Sequence, residues 1–147
     1  MSRSSYTLTL GGDVCDGALE AIADELDRDL DDLRCEANAA TLDKRAFCLE
    51  GNDLSLGCAH DLHGRLTELH IKHALTITND ACDYGSAFVA DGNTAGNRAY
   101  VEDEGVVITL EELRRARQAG DVGELIAELE RFEWRPPAAV YRAASTR

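Results

Sequence analysis

The chain has little that punctuates or stacks. Its prolines are confined to Pro136-Pro137, aromatic residues make up 5% of the sequence, and no apolar run approaches the length of a membrane span. So few rings leave a cofactor-stacking site unadvertised, and no cofactor is expected. Residues Met1 to Gly12 offer no apolar core of a secretory signal, so the expectation is a soluble, cytoplasmic protein. The nucleotide and hydrolase patterns are missing as well: there is no G-x-G-x-x-G, P-loop, G-x-S-x-G or H-E-x-x-H. The cysteines, Cys15, Cys35, Cys48, Cys58 and Cys82, are odd in number and irregularly spaced, which argues against a disulfide framework. They are expected to be mostly reduced and buried as small hydrophobes.

Positive charge is also scarce. Lys+Arg of 15 against Asp+Glu of 28 leaves a net charge of −13, and Lys44 and Lys72 are the only lysines. Such a chain is repelled by phosphate backbones and anionic membranes, so direct binding to nucleic acid or membrane is not expected. A partner with a basic surface is. At 147 residues the chain is large enough for one domain burying roughly two-thirds of the surface of its unfolded form.

What is present begins with Asp16 to Glu36. Leu19, Ile22, Leu26, Leu30 and Leu33 recur at steps of three and four, which places them on one stripe of an α-helix. The rest of the circumference carries Asp16, Glu20, Asp24, Glu25, Asp27, Asp29, Asp31 and Asp32, interrupted by Arg28 and Arg34. Read as one helix, the stretch presents a carboxylate about every 3.5 Å of axis. One DNA strand carries its charges about 3.4 Å apart. That is the physical logic of inhibitors that imitate nucleic acid and of acidic immunity or anti-defence proteins.

Ahead of this helix, Tyr6 to Leu10 alternates like a half-buried strand and runs into Gly11-Gly12, read as a turn, with Asp13 or Asp16 as the helix cap. After it come short segments. Arg45 to Glu50 reads as a strand, Gly51 to Asp53 as a turn and Leu54 to Cys58 as a hairpin partner. Leu62, Leu66, Leu69 and His73 would share a helical face, yet from Leu69 the alternation through Ile71, His73, Leu75 and Ile77 favours a strand. Ser86 to Ala90, Arg98 to Glu102 and Val106 to Ile108 complete the strands. Thr109 to Glu112 and Asp121 to Glu124 each have the pattern of a capping box opening a helix, with Gly120 between them as a stop. Val122, Leu125, Ile126, Leu129 and Phe132 form the apolar face of the second of these helices.

The predicted architecture is therefore α+β: a mostly antiparallel sheet of about five to six short strands, packed by an N-terminal acidic amphipathic helix and two C-terminal helices. Residues 1–134 are expected to form a single domain, and residues 135–147 a tail, either disordered or laid across the domain as an arm.

The favoured function is a small acidic protein-binding module whose contacts are Glu20, Asp24, Asp27, Asp31 and Asp32, with Glu102, Asp103 and Glu104 as a second patch. The competing reading is a small metal- or thiol-dependent enzyme built on His60, His63, His70, His73 and Cys58, since imidazole and thiolate are the usual transition-metal ligands. Its spacing is unfavourable: on a strand His70 and His73 point to opposite faces, and the plain alternative is a core His73 with a backbone partner. Cys82 with Asp83 and Tyr84 supplies a further thiol site of the same kind. Asp91 to Glu102 matches a calcium loop at positions one, three, six and twelve, although Ala95 lacks a ligand oxygen and the flanks read as strands. A hairpin turn explains the same residues.

Overall fold

The structure, a computed structural model, describes residues 4–79, 81–82 and 84–142. It is built on strand β1 (Ser4–Val14), which pairs antiparallel with β2 (Phe47–Asn52) on one edge and with β3 (Lys72–Asn79) on the other. The sheet continues through β4 (Tyr84–Ala90), β5 (Ala95–Val101) and β6 (Gly105–Val106), in the order β2-β1-β3-β4-β5-β6. A seventh strand, β7 (Ala139–Tyr141), runs parallel to the Gly12–Val14 end of β1. The α+β class holds, with the sheet mostly antiparallel as the alternating patterns imply.

Side-chain alternation separates the two faces of the sheet. Tyr6, Leu8 and Leu10 of β1, Phe47 and Leu49 of β2, and Leu75 and Ile77 of β3 point to an inner face. Three helices cover it: α1 (Asp16–Leu26), α2 (Leu30–Leu42) and α3 (Leu56–Glu68). Leu19, Ile22, Leu33, Leu62 and Leu66 are fully buried there, each contributing about 2 kcal/mol by leaving water. The outer face carries smaller residues, among them Thr7, Thr9, Ala74, Thr76 and Ala87, which are neighbours in register. Helices α4 (Leu110–Ala119) and α5 (Val122–Glu130), followed by a 3-10 turn over Arg131–Glu133, lie on this side. Neither helix has a fully buried residue. Their attachment runs through Arg98 of β5, which bonds Glu112 of α4 at 3.1 Å and Glu128 of α5 at 2.9 Å.

Several local expectations need correction. The acidic stretch is two helices, because Asp27 takes left-handed backbone angles (φ 52°, ψ 54°) and closes α1, while the Asp29 carboxylate accepts from the Asp32 amide and opens α2. Aspartates favour such positions over a helix interior because their side chains compete for backbone amides. The second helix then continues past Glu36 to Leu42. Leu54 to Cys58 is not a strand: Ser55 accepts from the Cys58 amide at 3.1 Å and starts α3, whose buried Ala59, Leu62 and Leu66 follow helical spacing. The helix persists to Glu68, the chain reverses at His70 (φ 56°), and the strand begins at Lys72. Thr109 and Glu112 form the expected capping box, whereas Asp121 makes no cap bond. Cys15, not Asp13 or Asp16, is the N-cap of α1. Four cysteines are exposed and Cys58 is half-buried, contrary to their expected burial.

Gly11-Gly12 is no turn either. Both lie within β1, where Pro136 and Pro137 cross directly over Gly11. A Cβ at Gly11 would sit 2.7 Å from Pro137 N and 2.8 Å from Pro136 Cβ, and Gly12 has φ +63°. The crossing leads into β7, so the part of the tail up to Arg142 lies against the domain, with Pro136, Ala139 and Tyr141 buried. Tyr141 N donates to Thr41 Oγ1 and its hydroxyl donates to Asp16 Oδ1 at 2.6 Å. Residues 143–147 of the predicted tail lie outside the described residues. Replacing Gly11 by alanine is expected to lower stability by about 1–3 kcal/mol through overpacking against this proline pair, read as a drop in the urea midpoint; an unchanged midpoint would show that the crossing is not tight.

Candidate functional site

The carboxylates singled out on the acidic stretch lie on two helices with separate axes. Asp24 and Glu25 of α1 face Arg65 of α3, which bonds them at 3.2 and 3.4 Å. Asp31 of α2 meets Arg34 at 3.3 Å, and Arg34 also bonds Asp16 at 3.3 Å. The side chains of Asp24 and Asp31 remain 68% and 87% exposed, so their pairs are screened and weak, whereas the Asp16 and Glu25 side chains are 22% and 18% exposed. Glu20, Asp27 and Asp32 are exposed as well. The arginines behave differently. Arg28 turns back onto the sheet, donating to the Tyr6 hydroxyl at 3.0 Å and to the Glu50 carbonyl, with its guanidinium over the Tyr6 ring. Arg34 is bonded by Asp16, whose carboxylate keeps the guanidinium pKa raised, and its side chain stays 38% exposed. Arg28 is thus drawn onto the sheet, while Glu20, Asp24, Asp27, Asp31 and Asp32 face water.

Glu102, Asp103 and Glu104 form the second patch in the β5–β6 turn, closed by the Glu104 amide donating to Val101 O at 3.1 Å. It does not merge with the first. Asp103 and Glu104 border a groove of about 740 Å³ on the outer sheet face, whereas α1 and α2 cover the inner one. Two acids without any sequence signal share that groove, Glu130 and Glu133. They sit at the end of α5 and in the 3-10 turn after it, and only the folding of this segment over the sheet brings them opposite the β5–β6 turn.

The histidines assemble only in part. His73 is fully buried on β3 and donates through Nδ1 to Ile71 O at 2.8 Å, since a carbonyl can only accept. Its Nε2 is then an acceptor, 2.8 Å from Nδ1 of His63 on α3, so His63 carries its proton on Nδ1 and leaves Nε2 as a lone pair. The plain expectation for His73, a core residue with a backbone partner, is what the fold shows, with a histidine added. His60 and His63 both pack against the Phe88 ring, at centroid separations of 4.9 and 5.1 Å. His70 lies in the exposed turn before β3. Among the described residues no three His, Cys, Asp or Glu side chains come together as a ligand set, so the proposed His60, His63, His70, His73 and Cys58 centre is not built. The helix is the reason: it turns His60 and His63 together onto Phe88, while His70 lies in the exposed turn that follows α3. Cys82 is exposed, and its suggested partner Asp83 lies outside the described residues.

The calcium-like loop is a hairpin turn. Asp91 Oδ1 accepts from the Asn93 and Thr94 amides at 2.9 and 2.8 Å, and its flanks are β4 and β5. The amide of Thr94, then that of Asn93, holds the Asp91 carboxyl below its ordinary pKa. Its charge is satisfied by its own turn.

Burial pushes His73 down to about 4, against the opposing effect of its bond to Ile71, and lowers His63 in the same direction with help from His60. A base with a depressed folded pKa binds fewer protons when folded, so its contribution to stability is complete above about 6.5 and is lost as pH falls toward 4. The corresponding loss is roughly 3 kcal/mol by pH 4. The expected result is a urea midpoint that falls across this window, together with a His73 ring resonance that stays in its neutral position at pH 5; a ring that titrates near 6.5 would contradict the buried dyad.

No protein-family model matches the chain, and neither a curated protein nor a solved structure does.

Proposed function

We propose that the chain is a small acidic protein-binding module that occupies a basic surface of a partner protein, as an inhibitor of the anti-defence or immunity type would. The observation that carries this reading is the orientation of charge on α1 and α2: Arg28 and Arg34 are tied to Tyr6, the Glu50 carbonyl and Asp16, while Glu20, Asp24, Asp27, Asp31 and Asp32 face solvent. With a net charge of −13, such a surface accelerates encounter with a cationic patch and repels nucleic acid and anionic lipid. The break at Asp27 removes the even, single-axis charge spacing that imitation of a nucleic-acid strand would use. Recognition then rests on local pairs between these carboxylates and partner arginines or lysines, such as those of a nucleic-acid-handling protein. A reducing, cytoplasmic setting suits the five unpaired cysteines. Among the described residues no helix is long and apolar enough to cross a membrane.

Neutralising Asp27, Asp31 and Asp32 together to asparagine is expected to leave the circular dichroism and the melting temperature unchanged, because all three are exposed and Asn is at ease in the left-handed conformation of Asp27. Partner capture from a host lysate at low salt should be lost, and capture by the unmodified protein should fade as salt rises. Capture that survives the triple change would sink the assignment of this surface.

A further inference from the structure

The groove on the outer sheet face has the composition of a docking slot. Its floor is made of Thr7, Thr9, Ala74, Thr76, Ala87 and Val89, drawn from three adjacent strands. These small side chains leave the sheet surface shallow, and the backbone beneath them is fully engaged with neighbouring strands, so an incoming chain cannot add as a further strand there. One wall is apolar: Ile126 and Leu129 of α5 with Phe132 of the turn that follows. Phe132 itself rests over Gly96 of β5. Ile126 is 49% exposed, which an α5 seated in a filled interface would not leave. The rim is acidic, with Asp103 and Glu104 on the strand side and Glu130 and Glu133 on the helix side. None of these four carboxylates is in an ion pair among the described residues. The one cation in the lining among the described residues, Arg135, donates through Nη1 to the carbonyls of Phe132, Glu133 and Trp134 at 3.2 Å, and so is turned to its own backbone.

We infer that this groove receives a basic amphipathic helix of a partner protein. The apolar face of the helix lies on the threonine and alanine floor beside α5, and flanking lysines or arginines pair with Asp103, Glu104, Glu130 and Glu133. Helices pack onto sheet faces through apolar side chains, and the acidic rim selects the sign of the flanks. A volume of about 740 Å³ accommodates the side chains of one helix face, and the helix-in-groove mode places its anchors at i, i+3, i+4 and i+7. A second copy of this chain is a poor occupant, since each copy brings a net charge of −13. The inference rests on the acidic-module reading for the sign of the partner's charge, but it concerns a different surface from α1 and α2.

The test uses a fluorescent synthetic helix of about 16 residues, roughly 24 Å long, with leucine and alanine on one face and lysine on the other, titrated with the full chain at low salt. Binding to the unmodified protein is expected to weaken at least tenfold when Asp103→Asn, Glu104→Gln, Glu130→Gln and Glu133→Gln are combined, all exposed changes that spare the core. Ala74→Trp, which fills the floor, should weaken it similarly, while the Asp27, Asp31 and Asp32 triple variant should stay within twofold. Amide shifts on adding the peptide should fall on Thr7, Thr9, Ala74 and Thr76. The inference is overturned if the triple variant loses the peptide while the rim variant keeps it, which would leave the α1–α2 reading standing alone. It is also overturned if a peptide with serine in place of leucine binds equally well, if no peptide binds, or if sedimentation shows a dimer that Ala74→Trp breaks.

Discussion

Everything in this fold leans on one strand whose backbone is bonded along both edges. β1 meets β2 and β7 on one side and β3 on the other, so its amides and carbonyls are satisfied by three segments far apart in sequence. Its alternation also fixes which side of the sheet is filled. Tyr6, Leu8 and Leu10 face the leucines of α1, α2 and α3, and a slip of one residue would turn Thr7 and Thr9 into that core. Gly11 near its end serves the same constraint, because only a residue without Cβ lets the proline pair pass across the strand, and Gly12 beside it takes a left-handed φ of +63°.

The two faces solve different problems. The inner one is dense and apolar, with buried leucines supplying the stability. The outer one is thinly covered, and its helical hairpin is held by Arg98 bridging Glu112 and Glu128 and by Phe132 over Gly96. A helix pair with no fully buried residue and an ionic anchor is a movable wall compared with α1–α3. Charge is divided in parallel: the carboxylates of α1 and α2 line a convex helical surface, while those of the β5–β6 turn and of α5 frame a concavity.

What could be read from the residues was what depends on neighbours along the chain. Alternation placed β1, β2 and β4, the stop at Gly120 and the box at Thr109 marked α4, and the leucine stripe chose the right buried residues in Leu19, Ile22 and Leu33. Charge exposure was legible too, because aspartates have nowhere else to go. The misses came where a short local preference competed with a longer pattern. The periodicity of the leucines ran smoothly through Asp27 and Asp29, but the left-handed backbone of Asp27 and the capture of the Asp32 amide by Asp29 broke the helix there. Around Leu54 to Cys58 a hairpin signal outweighed the single serine that caps α3. Gly11-Gly12 looked like a turn because close approach of a distant segment leaves no trace in the local sequence. Glu130 and Glu133 belong to the groove through tertiary folding alone, and nothing in their neighbourhood announces it.

The Pro136–Tyr141 segment also bears on how the molecule comes to be folded. Its Tyr141 hydroxyl reaches an aspartate 125 residues earlier in the chain, so the edge of β1 beside Gly12 stays open until nearly the whole described chain has been made. Closing so large a loop is slow compared with forming the hairpins of β3, β4 and β5. During synthesis the nascent protein therefore passes through a stage in which the central strand offers unpaired backbone groups at one end, the condition under which strands of neighbouring chains associate. The exposed carboxylates of α1, next along the chain, give such intermediates a mutual repulsion, so the negative charge guards the protein while it is incomplete.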